Sequence, residues 1–508
     1  MKKTLFIKNA LILTVSSLIL RFVGIIFKVW LAKLIGSEGI GLYQLVFSVY
    51  MLASTFAASG ICTAVTRLIA EELAVGTKKG AVKIMRRSVE LTLIIAAATV
   101  ITVFFGAEFI ATRFLCDLRA VPALKILPLS LPFMGVTSCL RGYFIARRKI
   151  TPNAVSQLFE QAVRIILVVI LVKSFYRKGL AACCGAVLFA DSAAEICSFL
   201  LLLIIWVFDS KKLKIKAANP RPMQPAVKRI FHIALPITSG RYLNTALRTA
   251  ENILVPKNLA KYPFGGSNAL SQFGMIKGMA LPILFFPSTL LNSVSTLLIP
   301  EISEASAKNQ KWLVKSATGN VLKLTALVSF IFAAVFFCAG REIGMLIYKD
   351  EAVGELLRAL SPIVPLMYLD SISDGILKGL DQQAFSFRTA ITDSVIRIVL
   401  ILLLLPIFGL RGFIWIMYFS NALTCGLNVG RLLKVSRARL SFLKEVFLPL
   451  GCAFIIALTA ETVLKKLVSG NLVYIILICA VSLPIYLIFL MLFGILKLED
   501  IQNFTKKR

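Results

Sequence analysis

Charged residues and histidine are scarce in this sequence. Only 16% of the 508 residues are charged, whereas a soluble protein carries roughly 25%. Histidine occurs once, at His232, which excludes multi-histidine metal sites and disfavours a Ser-His-Asp triad. No GxxxxGK[ST] stretch, metal-ligand cluster or large polar domain is present. We therefore expect no catalytic residues, no metal and no cofactor, and a protein that is not an enzyme.

Acidic residues are also few, with 25 Asp and Glu against 57 Lys and Arg and a formal net charge of +32. Nucleic-acid binding would need a basic soluble face with base-stacking or groove-reading elements, and none is evident. Lys and Arg also accumulate in the cytoplasmic loops of membrane proteins. The ten cysteines lack zinc spacing, and we interpret them as small apolar residues. We expect no nucleic-acid partner.

Long apolar runs, by contrast, are abundant. The chain is 58% hydrophobic, with a mean hydropathy of +0.85, and its apolar residues fall in runs of about 20, enough to cross about 30 Å of hydrocarbon. The sequence thus predicts an all-α, polytopic membrane protein with about 14 transmembrane helices. The predicted spans are 10–34, 40–63, 89–110, 121–145, 154–174, 180–208, 229–255, 270–300, 317–339, 356–379, 384–407, 411–433, 445–466 and 471–496.

Loop charge predicts the orientation in the cell membrane. Basic clusters at 78–87, 147–149 and 211–216 fall on one side, which is expected to be cytoplasmic. An even number of spans then places both termini in the cytoplasm.

A repeated pattern indicates two halves. EQAVRIIL from Glu160 in span 5 matches DSVIRIVL from Asp393 in span 11, and Leu42-Tyr43-Gln44 and Leu270-Ser271-Gln272 open spans 2 and 8. We predict two six-helix lobes with substrate at their interface near the midplane. The predicted domains are an N-lobe at 1–208, a basic cytoplasmic linker at 209–228, a C-lobe at 229–434, and spans 13 and 14 with a basic tail at 435–508.

Basic residues inside the spans are the candidate binding site. A charge in hydrocarbon costs at least about 2.5–3.5 kcal/mol, so it usually faces a bundle interior or a watery cavity. Arg21 and Lys28 share a face of span 1, Arg241 and Arg248 share a face of span 7, and Lys277 lies early in span 8. Such a cationic cavity would attract phosphate or pyrophosphate. The alternative is that these side chains snorkel to the membrane surface.

Acidic residues inside the spans allow two interpretations. Asp370 and Asp374 lie one turn apart in span 10 and could bind a coupling cation, and Asp191 and Glu195 in span 6 have the same spacing. The alternative is that each only neutralises a nearby basic residue.

Acid–arginine pairs recur at the same place in both halves. Glu160 and Arg164, like Asp393 and Arg397, have the i, i+4 spacing in the favoured acid-first order. The recurrence favours a structural role at the inner ends of spans 5 and 11, and a gate at the cytoplasmic mouth is the alternative.

Six stretches are long and specific: GIGLYQLVFSVY (39–50), TAVTRLIAEE (63–72), LRGYFIARRKITPNAVSQLFEQAVRI (140–165), FGMIKGMALPILFFP (273–287), LIPEISEA (298–305) and LKGLDQQAFSFRTAITDSVIRI (377–398). They resemble those of a known family, the polysaccharide-transport branch of the multidrug/oligosaccharidyl-lipid/polysaccharide (MOP) flippase superfamily. The resemblance covers nearly the whole chain.

The resemblance implies two six-helix lobes around a V-shaped central cavity, two further C-terminal helices and alternating access. Relatives that flip the lipid-linked peptidoglycan precursor have a cationic cavity for its pyrophosphate and a first-span pattern similar to S-R-x-x-G-x-x-R. This sequence keeps Arg21 and Gly24 but has Leu20 and Phe27 at the outer positions, with Lys28 one residue further on. The second-span arginine of those relatives is missing, because it falls near residues 54–55.

We therefore expect a flippase for an undecaprenyl-pyrophosphate-linked glycan, such as the peptidoglycan precursor lipid II, that works in peptidoglycan, cell-wall or spore-envelope synthesis. Its expected partners are the lipid-linked oligosaccharide, membrane lipids and cell-envelope synthesis enzymes. The alternatives are a cation-coupled multidrug exporter of the same superfamily and a non-transporting scaffold in cell-wall or spore-envelope assembly.

Overall fold

The computed structural model describes residues 3–58, 60–75, 78–175, 179–211, 226–263, 269–438, 441–467 and 470–495. Within these ranges the chain forms helices joined by short turns and contains no β-strand, which confirms the predicted all-α fold. Most of the predicted linker (212–225) and the end of the predicted tail (496–508) lie outside the described residues.

The helices follow the predicted spans closely. The α-helices are α1 (Lys3–Ala58), α2 (Ile61–Val75), α3 (Lys78–Phe105), α4 (Ala107–Phe109), α5 (Val121–Ile126), α6 (Leu131–Ala146), α7 (Thr151–Phe175), α8 (Leu180–Lys211), α9 (Ala226–Leu259), α10 (Ala269–Gly274), α11 (Leu281–Phe285), α12 (Ser288–Ala307), α13 (Lys311–Tyr348), α14 (Glu351–Leu360), α15 (Val364–Gly379), α16 (Gln383–Ser436), α17 (Leu448–Leu467) and α18 (Asn471–Leu492). Turns of π-helix lie at Ile110–Leu115, Met275–Ala280 and Phe442–Phe447, and turns of 3₁₀-helix at Leu118–Ala120, Leu127–Ser130 and Ser361–Ile363.

Two long helices each hold a pair of predicted spans. The first, α1, bends at Gly36, where φ is 71°, and α16 bends at Gly409, where φ is 56°. Glycine has no Cβ and adopts positive φ without strain. At Gly409 a Cβ would also lie 2.7 Å from the ring of Tyr262. These bends separate span 1 from span 2 and span 11 from span 12.

In the described part of the chain, nine helical segments are long and apolar enough to cross a membrane. They overlap predicted spans 3–6 and 9–14. Predicted spans 1, 2, 7 and 8 are also helical, and three of them, spans 1, 7 and 8, carry the candidate basic residues. The segment predicted as one continuous span at 270–300 is interrupted between α11 and α12, around Pro287.

The chain divides into two compact units. The first comprises Met1–Ala260 and Gly266–Gly274, and the second comprises Lys261–Gly265 and Met275–Arg508. Helix α9 packs on α1, α2 and α3 in the first unit, where Ala226, Ile230 and Ala234 join the buried cluster formed with α2, α3, α6 and α8. The predicted lobe boundaries at 1–208 and 229–434 stay a prediction.

Helix α13 is the centre of the second unit, where it packs against α14, α15, α17 and α18. Near proline and π-helical turns, tyrosine hydroxyls of neighbouring helices donate hydrogen bonds to backbone carbonyls. Tyr368 donates to the Leu284 carbonyl at 2.6 Å, and Tyr348 donates to the Met279 carbonyl at 3.2 Å. These buried hydroxyls satisfy backbone groups that a continuous helix would have satisfied itself.

Small residues bring α1 and α10 into close contact in the first unit. A Cβ on Gly41 would lie 2.2 Å from the carbonyl oxygen of Leu270, and a Cβ on Gly274 would lie 1.9 Å from that of Ser37. The hydroxyls of Ser37 and Ser271 are 2.6 Å apart. In a membrane, where helix association depends on packing and hydrogen bonds, small residues permit such an approach.

We predict that Gly274→Ala lowers the stability of the protein by about 1–3 kcal/mol, because the added methyl group must displace backbone of α1. The measurement is the apparent melting temperature of the purified protein in detergent. Gly185→Ala is the matched control in the same unit, because a Cβ there meets nothing within 4 Å. Equal melting temperatures for the two variants would contradict the prediction.

Candidate functional site

A polar seam joins α9 to the second half of α1. The Thr249 hydroxyl donates to the Ser48 carbonyl at 3.0 Å, and the Asn252 amide donates to the Ser48 hydroxyl at 2.9 Å. Further along, the hydroxyls of Thr55 and Thr245 are 3.3 Å apart. The contacts run in opposite directions along the two helices, so α9 lies antiparallel to this part of α1. These bonds fix the rotation of α9 about its own axis, and with it the direction of the face that carries Arg241 and Arg248.

Four of the five candidate basic residues lie in the first unit, and all four side chains are exposed. Arg21 and Lys28 are on α1, and Arg241 and Arg248 are on α9. Arg248 donates from Nε to the Asn244 side chain at 3.1 Å on its own helix. The side chains of Arg21, Lys28 and Arg241 form no hydrogen bond or ion pair with any other residue that the structure describes.

The fifth candidate, Lys277, belongs to the second unit. It is half-buried on the π-helical turn Met275–Ala280. A π-helical turn inside an α-helix often marks a functional position. The grouping of Lys277 with the four other basic residues stays a prediction.

Glu160 and Arg164 form an ion pair and are part of a larger, partly buried network. Glu160 is 3.0 Å from Arg164 and 3.2 Å from Arg141. Arg164 also lies 2.9 Å from Asp191 on α8, and Tyr43 donates to Asp191 at 3.3 Å. The network links α1, α6, α7 and α8, so it braces the first unit.

Glu195, one turn after Asp191, has its own partner. The Tyr50 hydroxyl donates to Glu195 at 2.7 Å, and the hydroxyls of Tyr50 and Ser130 are 2.9 Å apart. The sequence argument did not assign a role to Tyr43 or Tyr50. Their spacing of seven residues places both on one face of α1, and that pattern could have indicated two hydroxyls aimed at acids on a neighbouring span.

The equivalent pair in the second unit has different neighbours. Asp393 and Arg397 are 3.9 Å apart. The Ser420 hydroxyl donates to Asp393 at 2.5 Å, and Arg397 donates to the Met417 sulfur at 3.5 Å. The position repeats in both halves, but the neighbouring span supplies a carboxylate in the first unit and a hydroxyl and a thioether in the second.

Asp370 and Asp374 differ in their partners. Asp374 forms an ion pair with Lys378 at 2.5 Å, one turn along the same helix. Asp370 instead accepts from the Asn428 amide at 2.8 Å. The two acids do not share a partner here, so Asp370 is the stronger candidate for cation coupling. Among the residues that the structure describes, no group of three or more His, Cys, Asp or Glu side chains is placed to hold a metal ion.

Comparisons with known proteins agree with this architecture. Residues 6–276 match the family described as polysaccharide biosynthesis protein, and residues 263–403 match the MatE family. The chain is 26% identical to stage V sporulation protein B of Bacillus subtilis (strain 168), over 99% of this chain and 98% of that protein. It is 21% identical to lipid II flippase MurJ of the same organism, over 78% and 76% of the two chains.

A solved structure shares the fold. The inward closed conformation of lipid II flippase MurJ superimposes with a TM-score of 0.70 at 16% identity, covering 94% of this chain and 98% of that one. At 16% identity this similarity shows the fold alone. The family assignment rests on the sequence comparisons, because the polysaccharide biosynthesis match spans more than half of the 508 residues. The chain is a multi-pass membrane protein that belongs to the polysaccharide biosynthesis protein family of the MOP flippase superfamily.

Proposed function

We propose that this protein moves an undecaprenyl-pyrophosphate-linked glycan from the inner to the outer leaflet of the cell membrane, with both of its termini in the cytoplasm. The observation that carries the proposal is the state of Arg21 and Arg241. Both lie in helices predicted from the sequence as spans 1 and 7, both are exposed, and neither pairs with an acid that the structure describes. Keeping such a charge in hydrocarbon costs at least about 2.5–3.5 kcal/mol, so each is expected to face water or an anionic ligand.

Arginine suits a pyrophosphate because its planar guanidinium donates two parallel hydrogen bonds to phosphate oxygens. Arg21 and Arg241 are proposed to hold the pyrophosphate, and Lys28, Arg248 and Lys277 to extend the cationic surface. Arg141 and Arg164, which lie inside predicted spans 4 and 5, are already engaged by carboxylates. We therefore assign these two arginines a structural role.

The proposed transport cycle alternates between inward-facing and outward-facing states. The pyrophosphate stays on the cationic side chains, the lipid tail stays in the bilayer, and the glycan crosses through water, which avoids moving its hydroxyls through hydrocarbon. One elementary charge that crosses 100 mV gains about 2.3 kcal/mol, and we propose that the membrane potential or a cation gradient drives the cycle. No covalent chemistry is required, and we propose that the protein is not an enzyme.

The relatives support a lipid-linked cargo and leave its glycan open. One relative is a lipid II flippase and another is a sporulation protein, which supports a role in the cell wall or the spore envelope. Leu20 and Phe27, and the missing second-span arginine, depart from the lipid II flippase pattern. Lipid II is therefore one candidate cargo among several envelope glycans. A multidrug exporter, suggested by the MatE match, would need a cavity that suits cationic cargo, and the exposed arginines disfavour it.

We predict that Arg21→Gln and Arg241→Gln each slow flipping of undecaprenyl-diphosphate-linked sugar in proteoliposomes by about tenfold to hundredfold, because a charge-assisted hydrogen bond is worth about 1.5–3 kcal/mol. Melting temperatures should stay near the wild-type value, since neither side chain pairs with another described residue. Arg86→Gln is the control, because Arg86 is 80% exposed and pairs only at the surface. Normal flipping by both span variants would overturn the proposed site.

Arg164→Ala is expected to lower the melting temperature and to leave the flipping rate nearly unchanged. It leaves Glu160 and Asp191 without their shared cation, and removing one partner of a buried ion pair typically costs about 3–5 kcal/mol. We predict a large fall in melting temperature and in the amount of protein in the membrane. Per folded molecule, flipping should remain within about twofold of wild type, a small change in barrier. A stable Arg164→Ala protein that cannot flip would reassign Arg164 to the transport site.

The two acids of α15 are distinguished by a coupling measurement. If Asp370 binds a coupling cation, Asp370→Asn should abolish the dependence of flipping on an imposed sodium or proton gradient. Asp374→Asn should retain that dependence, because Asp374 already pairs with Lys378. Flipping rates in proteoliposomes with and without each gradient provide the measurement. A gradient dependence that is lost in both variants, or in neither, would contradict this assignment.

A further inference from the structure

The segment that joins predicted spans 3 and 4 forms an open cleft with a volume of about 540 Å³. Cavities that hold small molecules measure about 300–1,000 Å³, so the cleft is large enough for one. The π-helical turn Ile110–Leu115, the 3₁₀-helical turn Leu118–Ala120 and the residues between them supply its walls. The predicted topology places this segment on the outer face of the membrane. The lining residues are Thr112, Cys116, Asp117, Leu118 and Arg119.

The guanidinium of Arg119 is held in place at one wall of the cleft. It donates from Nε and Nη2 to Asp117 at 3.0 and 2.8 Å, and the Arg119 backbone N–H donates to the same carboxylate at 2.9 Å. Its Nη1 donates to Glu38 on α1 at 2.8 Å. Because carboxylates on two separate segments fix this side chain, it loses less conformational entropy when a ligand binds.

These bonds leave hydrogen-bonding groups of the cleft available to a ligand. The two carboxylates engage one N–H on each nitrogen of the Arg119 guanidinium, so the second N–H of each terminal nitrogen can donate to a ligand. The Thr112 hydroxyl donates to the Glu108 carbonyl at 2.8 Å, and its oxygen can still accept. Leu118 is 67% exposed and adds an apolar surface. This combination suits a sugar, whose hydroxyls both donate and accept and whose ring carbons are apolar.

Charge balance favours a neutral ligand over phosphate. The positive charge of Arg119 is already paired with the carboxylates of Asp117 and Glu38. Near the cleft, Lys125 is paired with Glu108 at 3.0 Å. A phosphate that approached Arg119 would meet both of its carboxylate partners at short range and be repelled by them. A sugar hydroxyl carries no charge and can bond to Arg119 without displacing either carboxylate.

We propose that the cleft binds a neutral sugar unit of the cargo's glycan at the outer face of the membrane. Arg119 donates to the ring hydroxyls of this sugar, Thr112 accepts from one of them, and Leu118 contacts its apolar face. The inference rests on the proposed function, since it identifies the sugar with the glycan that the protein moves. It adds a contact for the glycan to the contacts proposed for the pyrophosphate.

The position of the cleft along the first span suits this role. Arg119 bonds to Glu38, which lies just after the bend of α1 at Gly36. The helix rises about 22 Å from Arg21 to that bend, so the proposed phosphate contact lies deep in the span and the cleft lies at its outer end. A glycan attached to a phosphate at Arg21 therefore meets the cleft only when it extends toward the outside.

The Cys116 thiol is a reporter within the cleft. All ten cysteines lie among the described residues, and Cys116 alone is exposed, so a maleimide should alkylate this thiol first. The experiment measures its alkylation rate by peptide mass spectrometry on the full-length protein in nanodiscs that contain no maltoside detergent. We expect at least one of maltose, cellobiose and N,N′-diacetylchitobiose to slow the reaction by about tenfold at saturation, and sorbitol and inorganic pyrophosphate to leave it unchanged. Slowing by pyrophosphate or sorbitol, or by none of the three sugars, would overturn the proposal.

Two variants identify the groups that bind the sugar, and the quantity compared is the sugar concentration that halves the alkylation rate. Thr112→Val should raise that concentration by about threefold to tenfold, because one neutral hydrogen bond is lost. Arg119→Gln should raise it by about tenfold to hundredfold, because charged donors are lost. Arg113→Gln is the matched control and should behave as wild type, since Arg113 is exposed on the same π-helical turn but does not line the cleft. An unchanged concentration in either cleft variant, or an equal shift in the control, would contradict the assignment.

The alkylation measurement requires no transport. Protection of Cys116 by sugar in a protein that flips no lipid-linked glycan would disprove the proposed function and leave a sugar-binding cleft. Normal flipping without protection by any of the sugars would disprove only the inference.

Discussion

The free energy of a charge in hydrocarbon is the constraint on which the rest of this structure depends. Each ionised side chain in a span needs an opposite charge, water or a bound ligand. The first unit uses the first solution for Arg141 and Arg164, whose carboxylate partners come from α7 and α8. Arg21 and Arg241 have no such partner among the described residues. This contrast, and not the presence of arginine as such, distinguishes a scaffold position from a candidate binding position.

Close backbone contact is the second constraint, and glycine satisfies it at a few positions. Hydrophobic burial does little to drive helices together inside a bilayer, so van der Waals contact and hydrogen bonds must do so. At Gly41 and Gly274 the helix backbones are too close for any side chain. Near Gly60, where the backbone is also close to Ala234 on α9, ion pairs of Arg229 with Glu71 and Glu72 supplement the backbone contact. The contact at Gly41 and Gly274 is thus held by shape, and the contact near Gly60 is held by shape and charge together.

The sequence predicted the helices well because their signal is local. Runs of about 20 apolar residues fall where α1, α3, α7, α8, α13, α16, α17 and α18 are found. The break around Pro287 and the π-helical turn at Met275–Ala280 were not anticipated, because the apolar run continues through both. A proline in a membrane helix breaks it or only bends it depending on which neighbouring groups satisfy the freed carbonyls. Here Tyr348 and Tyr368 do so from distant parts of the chain, and span hydropathy alone does not reveal them.

For the candidate site residues too, contacts within one helix could be predicted from the sequence, and contacts between distant helices could not. The Glu160–Arg164 pair could be predicted from its i, i+4 spacing. The pairing of Asp374 with Lys378, which follows four residues later, has the same local signal. Asp191 lies 27 positions after Arg164, and Asn428 lies 58 positions after Asp370. Only the packing of one span on another creates those contacts. The network around Arg164 was therefore underestimated as a local pair.

The two repeated acid–arginine pairs differ in the groups that the neighbouring span places against them. Arg164 is held by two carboxylates on two helices, so any change that separates α7 from α8 must break a charge pair in a site of low dielectric constant. Arg397 lies 3.9 Å from Asp393 on its own helix and donates to the Met417 thioether on the neighbouring span. The repeat thus supplies the same acid–arginine pair twice, and the neighbouring span adds a carboxylate to it in the first unit and a hydroxyl and a thioether in the second.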